Sequence, residues 1–545
     1  MCRHITSFLC LLFLFSLTSC HFEKDISAIV LQDKYDIITK SKTEDRSSGF
    51  IFQTYIDSAD HIITIGICRP ANQLVKYDET KNIMLDSFDL SIKQNMEINQ
   101  ISLLGKDSAL VAFNTVYDLD FQDAALLFVD RKAQVLDTVV LEELPIRTHK
   151  HVMYKDPHRY HVFYWDFPLV YRYNKVFVPL FKWNEDGTAP ASFIGYVSKI
   201  NQHYWSFTKL PIACSKASKN HYWSFFYSSP RGVASSKDLY VIFPNSPILY
   251  KYSFLYNKTS HKKIRSSLIN KISPYQIGEE AKQFDPYKSK YEQLYYDSLN
   301  NRIYLTARLF CDSTDGPLSL QRENFIYTFM MLDENMNVIG EGLIPEGYSP
   351  VIIPYKEGFL LLKKNCIFKT YTYFVPFVQK KNVSFLTEQI TERRRNLNNK
   401  APKMNDHDAL TSYLKSIVGS DFSHYSGFLI LSESSCLNCV PTFTRFFREY
   451  KDCFLDEAIA VVLINQDEEY LRDFISQSDG VWKTSEKPNV SSQISIYCDT
   501  NQTFQYYFMY WVNARFVKYD PLGSISTDTI VNPSALDNVK SLICN

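Results

Sequence analysis

The sequence predicts two parts: an all-β body of the propeller class with about six blades, followed by a smaller α/β domain. From about residue 25 to 375, short apolar or alternating runs follow one another, separated by Asp, Asn, Lys and Gly turns. These units recur roughly every 45 to 60 residues, which is in the range of four-stranded propeller blades. From residue 406 onward, strand and helix patterns alternate instead, as in an α/β domain.

The N-terminus has the pattern of an export signal. Arg3 supplies a short positive region, and Ile5 to Leu17 form an apolar run that is too short to span a bilayer as a helix. The following Leu17-Thr18-Ser19-Cys20 resembles the lipobox of bacterial lipoproteins. That resemblance implies removal of residues 1–19, lipid on Cys20 and a membrane tether in the cell envelope, on the outer membrane or periplasmic face rather than in the cytoplasm. The alternative is an ordinary cleaved signal peptide in which Cys20 is incidental.

Charge and cysteine content exclude several classes of protein. Lys+Arg and Asp+Glu both number 59, so the formal net charge is zero and no electrostatic case for nucleic acid exists. The 12 cysteines have wide spacing over the first 400 residues, which is not a disulfide framework. Only Cys436 and Cys439 form a motif, and we expect the other mature cysteines to be small buried apolar residues. No cofactor is indicated.

The strands of the body are predicted from runs rich in apolar and aromatic residues. The clearest runs are Ile62–Gly66, Leu110–Phe113, Ala125–Phe128, Lys175–Pro179, Asp238–Ile242, Arg302–Leu305 and Gly358–Leu362. No alternation of strand and helix occurs among them, which argues against a parallel α/β fold. We expect residues 20–378 to form the propeller-like domain and to bind a protein, peptide or glycan partner.

Several short sequence segments of this region are similar to those of a lipoprotein family. The segments that carry the similarity are Leu74–Asp78, Tyr295–Tyr304 and Met331–Gly340, behind the lipobox. Together they resemble domain-of-unknown-function family 4221, which consists of exported lipoproteins with a propeller-like body. The resemblance covers the N-terminal two thirds of the chain. It implies no catalytic residue, since the family has no assigned activity.

Four histidines lie close together in the body and form one candidate site. They are His149, His151, His158 and His161. They form either a metal or anion site on a long loop or a solvated loop whose histidines face water or stack on aromatic rings. The spacing fits no standard zinc pattern, so we expect no metal.

An aromatic pentad occurs twice. His203–Phe207 and His221–Phe225 have the same sequence, His-Tyr-Trp-Ser-Phe. The two pentads either line a binding face at the mouth of the propeller or belong to the cores of its blades.

A charged linker, residues 379–405, separates the two parts. It contains Lys380-Lys381 and Arg393–Arg395, and we expect Thr387 to Leu397 to form an exposed helix. Residues 406–545 then predict alternating strands and helices. The predicted elements are a helix from Asp406 or Asp408 through Ile417, a strand at Phe428–Leu431, a helix at Val440–Tyr450, a strand at Ala458–Ile464, a helix at Glu468–Ser476, a strand at Ile494–Asp499, a helix at Gln502–Tyr510, a hairpin at Arg515–Tyr519 and Ser524–Ile525 across Asp520–Gly523, and a last helix from Asn532 to Leu542.

The pair Cys436-x-x-Cys439 lies between the strand Phe428–Leu431 and the helix Val440–Tyr450. A cysteine at this junction has its sulfur at a helix N-terminus, where unpaired N–H groups and the helix dipole favour the thiolate. The second cysteine lies one turn along, close enough to close a disulfide onto the first. The residues alone leave three readings open: a redox-active pair, a stable structural disulfide, or a metal site that also uses Cys453 or Cys498.

The order of elements in residues 406–545 resembles the thioredoxin fold, in its TlpA-like or redoxin-like envelope form. On that resemblance Cys436 is the attacking thiolate and Cys439 the resolving thiol, with exchange through a mixed disulfide on Cys436. The sequence departs from the family at Val512–Arg515, where the usual cis-proline is missing, and at Ser435, where an aromatic residue is usual.

Two functions are therefore expected as alternatives. The first is a lipid-anchored envelope protein whose propeller recruits a partner and whose thioredoxin-like domain exchanges disulfides through Cys436 and Cys439. The second is a non-catalytic binding or sensory lipoprotein in which the cysteine pair is a structural disulfide.

Overall fold

The structure is a computed structural model, and it describes part of the chain. The described residues are 26–42, 49–68, 73–89, 96–104, 107–117, 120–132, 134–140, 146–147, 153–154, 161–162, 167–183, 190–199, 205–214, 221–223, 225–269, 272–276, 289–309, 325–364, 368–379, 384–400, 407–432, 451–464, 482–484, 494–499, 514–520 and 523–531.

Strands dominate the described residues up to position 379. They are β1 (Ala28–Lys42), β2 (Gly49–Ile56), β3 (Ile62–Cys68), β4 (Gln73–Asp78), β5 (Ile83–Asp89), β6 (Met96–Leu103), β7 (Ser108–Tyr117), β8 (Asp120–Asp130), β9 (Val135–Val140), β10 (Ile146–Arg147), β11 (Met153–Tyr154), β12 (His161–Val162), β13 (Val170–Arg172), β14 (Lys175–Trp183), β15 (Pro190–Lys199), β16 (Trp205–Ala213), β17 (His221–Tyr222), β18 (Arg231–Ala234), β19 (Asp238–Ile242), β20 (Ile248–Ser253), β21 (Lys258–Lys263), β22 (Tyr275–Gln276), β23 (Lys290–Asp297), β24 (Arg302–Arg308), β25 (Tyr327–Asp333), β26 (Val338–Leu343), β27 (Tyr348–Tyr355), β28 (Gly358–Lys363) and β29 (Phe368–Gln379). A short helix, α1 (Phe225–Ser228), precedes β18.

The remaining described elements follow residue 383. The helices are α2 (Ser384–Lys400), α3 (His407–Val418) and α4 (Lys451–Asp456), with a 3₁₀ helix at Gly419–His424. The strands are β30 (Gly427–Ser432), β31 (Ile459–Ile464), β32 (Trp482–Thr484), β33 (Ile494–Asp499), β34 (Ala514–Tyr519) and β35 (Ile525–Val531).

The strands of the body form successive antiparallel sheet units. Strands β2–β5, β6–β9, β18–β21 and β23–β26 are meanders in which each strand pairs with the next. Strands β13, β14, β15 and β16 form a similar unit, and β27–β29 form the last unit together with β1. We number these units one to six in chain order of β2, β6, β13, β18, β23 and β27. The region is thus β-rich and mainly antiparallel, as its alternating patterns predict.

The hydrophobic cores show how these units are arranged. Each core lies between two consecutive units, and one core joins the sixth unit to the first. The six cores include, in order, Leu74 with Val111, Leu110 with Val178, Phe177 with Val241, Leu249 with Leu294, Tyr304 with Phe359, and Leu360 with Ile62. The first strands of neighbouring units also contact each other, β18 with β23, β23 with β27 and β27 with β2. This is the packing of a propeller-like fold.

Strand β1 closes this arrangement. It pairs antiparallel with β29 from Ala28 to Lys42 and parallel with β26 at Ala28 and Ile29. The parallel contact requires glycine in β26, because a Cβ on Gly342 would lie 2.8 Å from the carbonyl oxygen of Ile29. The first described strand thus completes the last sheet unit, which joins the two ends of the body.

Aspartates that end strands organise several turns of the body. Asp297 Oδ1 accepts the backbone N–H groups of Leu299 and Asn300 at 3.0 and 3.1 Å, and the hydroxyl of Tyr296 donates to Asn301 at 3.1 Å. The Asn301 backbone has φ of 50°, in the left-handed region that asparagine tolerates. The same combination of a tyrosine and a left-handed asparagine recurs at Tyr77 with Asn82 and at Tyr252 with Asn257.

Helix α2 differs from the exposed linker helix that the sequence predicts. It is longer, and its Leu386 and Ile390 are buried in the core between the fourth and fifth sheet units. Arg393 Nη1 donates to the carbonyl oxygen of Ile344 at 2.7 Å. The helix is therefore partly packed on the body, because two apolar residues one turn apart form a stripe within an otherwise polar sequence.

The C-terminal strands form one mixed sheet in the order β32-β33-β31-β30-β34-β35. Strands β30 to β33 run parallel to one another. Strands β34 and β35 form an antiparallel hairpin, and β34 also pairs antiparallel with β30. Helix α3 packs Leu410 and Leu414 against Phe428 and Val517. The turn at Asp520 forms as predicted, with Gly523 N–H donating to Asp520 O at 2.9 Å and Gly523 at φ of 82°. The predicted helices at Val440–Tyr450, Glu468–Ser476, Gln502–Tyr510 and Asn532–Leu542 lie outside the described residues, so the predicted alternation of strand and helix stays a prediction there.

Candidate functional site

The C-terminal sheet fixes the point from which the Cys-x-x-Cys segment starts. Ser432, the last residue of β30, pairs with Ile464 at the end of β31, and Ile430 lies opposite Arg515 near the start of β34. The carboxyl ends of β30 and β31 and the amino end of β34 therefore lie at one edge of the sheet. Cys436 and Cys439 follow Ser432 and lie outside the described residues. Their predicted roles stay predictions.

A charged group lies beside this edge, on the face covered by α3. Arg515 Nε donates to Asp528 Oδ1 at 2.7 Å, and a second guanidinium nitrogen contacts Asp528 Oδ2. His407 Nε2, at the start of α3, lies 3.6 Å from Asp528 Oδ2. Only 7% of Arg515 is exposed, so its two-point bond with a carboxylate satisfies a buried charge. The contact fixes the start of β34 against β35.

The other predicted site residues are described in part. Cys20, His149, His151 and His158 lie outside the described residues, and His161 lies in β12. Among the described residues, no group of three or more His, Cys, Asp or Glu side chains could hold a metal ion. None of the helices in the described ranges has the length and hydropathy that a bilayer crossing needs.

The two aromatic pentads have different surroundings. In the first, Phe207 is buried in the core between the second and third sheet units, and Trp205 stacks on Phe128 with ring centroids 5.6 Å apart. In the second, Trp223 is buried and stacks on Tyr227 of α1 at 6.3 Å. The described part of the first pentad is core. In the second, the Tyr227 ring on which Trp223 stacks borders a cluster of charged residues that the sequence did not indicate.

The inner-strand charge cluster consists of Arg231, Lys290, Glu292 and Arg308. Arg231 begins β18, Lys290 and Glu292 lie at the start of β23, and Arg308 ends β24. Lys290 Nζ lies 3.3 Å from Glu292 Oε1, and Arg308 Nε lies 3.7 Å from the same atom. Strands β18 and β23 are the first, or inner, strands of adjacent units. The cluster therefore lies where two inner strands contact each other.

A β-bulge sets the direction of Glu292. Tyr291 pairs with Ala307 and Gln293 pairs with Thr306, so Glu292 is the extra residue of β23. The register shifts in the same way in β2, between Ile51 and Gln53, and in β6, between Ile98 and Gln100. Bulges bend a strand and change where its side chains point, and they are frequent beside binding sites.

Burial and charge act against each other at Glu292. Burial raises the pKa of its carboxyl, but the positive charges of Lys290, Arg308 and Arg231 outweigh burial and hold the pKa below the ordinary range. Glu292 is therefore ionised at neutral pH. Its side chain keeps 21% of its surface exposed, whereas that of Lys290 keeps only 5%.

Aromatic rings flank the cations of the cluster. The guanidinium of Arg308 lies 4.6 Å from the centre of the Phe325 ring, and Lys290 Nζ lies 6.0 Å from the centre of the Tyr227 ring. Tyr227 also hydrogen-bonds with the Arg308 side chain. Such rings exclude water from one side of the charges, and this strengthens electrostatic interactions there.

Sequence patterns contain little that points to this cluster. Its four residues belong to three strands of two units, and no spacing rule joins them. One signal is present in retrospect: a glutamine follows the bulge in β2, β6 and β23, as Gln53, Gln100 and Gln293. That repeat marks equivalent positions of the inner strands.

No protein-family model and no curated protein matches the sequence. Among solved structures, the chain is similar to a member of domain-of-unknown-function family 4221 from Bacteroides vulgatus, at 11% identity and a TM-score of 0.42, over 65% of this chain and 100% of that one. It is similar to a luciferin-regenerating enzyme at 9% identity and a TM-score of 0.29, over 64% of this chain and 95% of that one. It is also similar to Hsv2 from Kluyveromyces lactis at 10% identity and a TM-score of 0.29, over 58% and 71%. The first is from the family whose motifs residues 20–378 resemble, and none of the three carries a conclusion about activity or partners.

Proposed function

We propose that the chain is a lipid-anchored cell-envelope protein with two working parts. A propeller of six blades binds a partner, and a thioredoxin-like C-terminal domain exchanges thiols and disulfides through Cys436 and Cys439. One observation carries the exchange: β30, the strand that leads into the Cys-x-x-Cys, lies between parallel β31 and antiparallel β34. In the thioredoxin-like family that this region resembles, the redox pair follows such a strand.

The proposed reaction needs the two cysteines and one disulfide of a partner. The Cys436 thiolate attacks one sulfur of that disulfide, which forms a mixed disulfide and releases the other partner sulfur as a thiolate. The Cys439 thiolate then attacks the Cys436 sulfur, which releases the second partner thiolate and leaves a Cys436–Cys439 disulfide. The partner gains two electrons and the pair loses two. A dithiol of a second envelope protein restores the reduced pair, and the reverse sequence oxidises a partner dithiol.

The start of β34 is where the proposal departs from the family. A cis-proline is usual there, facing the cysteines, and this chain has Val512-Asn513 before Ala514. Arg515, held by Asp528, is the second residue of the same strand, at the edge from which the cysteine segment starts. We propose that the held strand supplies a partner-docking edge without the proline.

Two further parts of the proposal rest on different supports. The six-bladed propeller is supported by the ring of shared cores, one of which joins the sixth unit to the first, and by the pairing of the N-terminal strand β1 with β29 of the sixth unit. The lipid anchor rests on Leu17-Thr18-Ser19-Cys20 in the sequence alone. The partner-binding role follows from the inner faces that such a ring offers to a ligand.

Trapping tests the exchange. In full-length Cys439→Ser, the resolving thiol is gone, so the mixed disulfide on Cys436 is expected to accumulate and to disappear on treatment with a thiol reductant. Cys436→Ser is the matched control, because it keeps one cysteine of the pair but lacks the proposed nucleophile. Non-reducing electrophoresis of cell envelopes measures the adduct. Equal adduct in the two variants, or none in either, contradicts the exchange.

The alternative is a binding lipoprotein whose cysteine pair is a structural disulfide. The inner-strand charge cluster favours a binding role for the body independently of the cysteines. Under this alternative, Cys436→Ser/Cys439→Ser keeps partner binding while it lowers the stability of the C-terminal part. Under the exchange proposal, the same double variant loses thiol exchange and keeps partner binding.

A further inference from the structure

We propose that an exposed apolar patch on two neighbouring turns of the body contacts the anionic lipid bilayer to which the proposed lipid anchor tethers the chain. The patch consists of Tyr173, in the turn between β13 and β14, and of Leu255 and Tyr256, in the turn between β20 and β21. We call it the turn patch. The inference deepens the proposed lipid anchoring and rests on it, because it names the surface that the tether brings to the membrane.

The exposure of these side chains is the first step. Tyr256, Leu255 and Tyr173 keep 76%, 65% and 63% of their surface exposed, which places all three among the five most exposed large apolar side chains of the described residues. Single exposed apolar residues are ordinary on a protein surface. A contiguous group of them marks an interaction site.

The two turns are joined by Asn257. Its Oδ1 accepts a hydrogen bond from Lys175 Nζ, next to the first turn, at 2.5 Å, and one from the hydroxyl of Tyr252 at 2.9 Å. Beneath the turns, Phe254 packs on Phe177 of β14, with ring centroids 5.1 Å apart. The three exposed side chains are therefore neighbours on a fixed base and form one surface.

The backbone of Tyr173 gives independent support. Tyr173 and Asn174 form the two-residue turn between Arg172 and Lys175, and both have positive φ, 53° and 57°. Such a turn favours asparagine and glycine, and a tyrosine there is strained because its Cβ crowds the backbone. The exposed Tyr173 side chain does not offset this strain by packing in a core, so contact with a partner is the role that the strain indicates.

The charges around the turn patch favour an anionic surface. Arg172, Lys175 and Lys258 directly flank the two turns. Asp238 is the single acidic residue in the sequence of the fourth unit, and Lys251 Nζ pairs with it at 3.0 Å. Anionic phospholipid attracts such cations, while tyrosine and leucine side chains enter the layer between the headgroups and the acyl chains.

The proposed tether supplies the membrane. Residues 20–25 lie outside the described residues, and Cys20 and Ser27 are seven positions apart in the sequence. An extended chain of that length spans at most about 25 Å. Ser27 is fixed to the body, since its carbonyl oxygen accepts the N–H of Glu341 at 3.0 Å. A lipid on Cys20 therefore holds some surface of the body close to the bilayer.

Strand β21 connects the turn patch to the point where the tether begins. It starts beside the patch at Lys258, and Ser266 and Ser267, which follow its end, donate to the carboxylate of Glu341. The chain from Lys258 to Ser266 spans about 27 Å at the rise of a strand. The tether has a similar length, so the lipidated end can reach the side of the body that carries the turn patch.

Footprinting of side chains tests the contact. The lipidated protein is reconstituted in vesicles of phosphatidylethanolamine and phosphatidylglycerol, side chains are oxidised with hydroxyl radicals, and mass spectrometry quantifies the products. The Cys20→Ser chain in lipid-free solution gives the reference rates. Ile38 is the internal control, because it is 66% exposed and lies on β1 of the sixth unit. We expect oxidation of the turn patch relative to Ile38 to fall about fivefold or more in vesicles, because the bilayer covers the patch.

Variants test whether the patch acts as one surface. Leu255→Ser/Tyr256→Ser should weaken docking about tenfold and raise oxidation of Tyr173 in vesicles accordingly, because two apolar side chains no longer enter the bilayer. Ile38→Ser is the matched control and should leave Tyr173 protected. Vesicles of phosphatidylcholine alone should protect the patch several-fold less, because they lack anionic lipid. Circular dichroism verifies the fold of each variant, and all the substituted side chains are exposed.

Three results would overturn the inference. The first is equal protection of Ile38 and the turn patch, or protection of neither, which would leave the patch to a protein partner. The second is protection of Tyr173 that persists in Leu255→Ser/Tyr256→Ser. The third is equal protection in the two kinds of vesicle.

The inference and the proposed lipid anchor fail separately. The intact mass of the purified protein reports whether Cys20 carries lipid. Lipid on Cys20 with an unprotected turn patch leaves the anchor standing and refutes the inference. Absence of lipid refutes the anchor, and protection of the turn patch by added vesicles would then still identify it as a membrane-binding surface.

Discussion

Lys369 and Glu79 form a buried ion pair between the last and first sheet units, and its loss should be costly. Lys369 Nζ, in β29, lies 3.1 and 3.3 Å from the two oxygens of Glu79, which directly follows β4. Thr64 in β3 donates its hydroxyl to Glu79 at 3.0 Å, and Glu79 has no exposed surface. At 3.1 Å and an effective dielectric constant of about 20, the attraction is roughly 5 kcal/mol.

Lys369→Met leaves the Glu79 carboxylate without this cation in a low-dielectric site. We expect a loss of about 3–5 kcal/mol in the stability of this junction, as for other buried pairs from which one partner is removed. The double variant Lys369→Met/Glu79→Gln should recover most of that loss, because no buried charge remains to be compensated. Lys363→Met is the control, since its pair with Asp36, at 3.9 Å, is exposed and should be worth about 0–1 kcal/mol.

Hydrogen exchange measured by mass spectrometry reports the local stability of this junction in the full chain. A loss of about 3 kcal/mol should accelerate exchange of β4 and β29 peptides by about a hundredfold, while peptides of β30 and β31 stay unchanged. Equal acceleration in Lys369→Met and Lys363→Met would refute the reasoning, because it would mean that burial adds nothing to the pair.

Three more predictions concern single residues. Burial raises the pKa of Glu341 although Ser266 and Ser267 donate to its carboxylate, so its contribution to stability is present below the ordinary glutamate pKa and declines as pH rises toward the folded-state pKa. Urea midpoints should therefore show wild type losing stability relative to Glu341→Gln as the pH rises above the ordinary glutamate pKa, and a constant difference would contradict this. Gly358→Ala should lower stability by about 1–3 kcal/mol in thermal unfolding, because the new Cβ would collide with the carbonyl oxygen of Phe374, and an unchanged melting temperature would refute the clash. Burial raises the pKa of the Cys214 thiol to about 12, so iodoacetamide at about pH 8 should label it much more slowly in the native chain than after denaturation, and equal rates would contradict its burial.

Local patterns predicted individual elements well. The run Asp238–Ile242 coincides with β19, and Ile494–Asp499 coincides with β33. The turn at Asp520–Gly523 forms as its residues indicate. Each of these depends on side-chain alternation, apolar runs or turn chemistry within about ten residues, and those interactions are present in the sequence itself.

Elements that depend on distant partners were predicted less well. Helix α2 contains two buried apolar residues within a basic, polar stretch, and two such residues do not by themselves predict a buried face. They are buried because the helix packs on the core between β18–β21 and β23–β26. Strand β32, Trp482–Thr484, was not predicted, since three residues carry no clear periodicity and it forms by pairing with β33. The charge cluster has the same origin, because Arg231 and Lys290 meet only when their units pack.

The sequence by itself determined that the body is β-rich, since strand alternation and turn aspartates are local and repeat along the chain. The switch to strand-helix alternation near residue 406 predicts an α/β class for the C-terminal part. It also predicts roles for Cys436, Cys439 and Cys20, and these predictions rest on their neighbours in sequence. Only the tertiary structure decided that β1 closes onto β29, that Lys369 meets Glu79, and that three cations gather around Glu292. The physical reason is that these contacts join residues far apart in the chain, and their energy exists only after the sheets have packed.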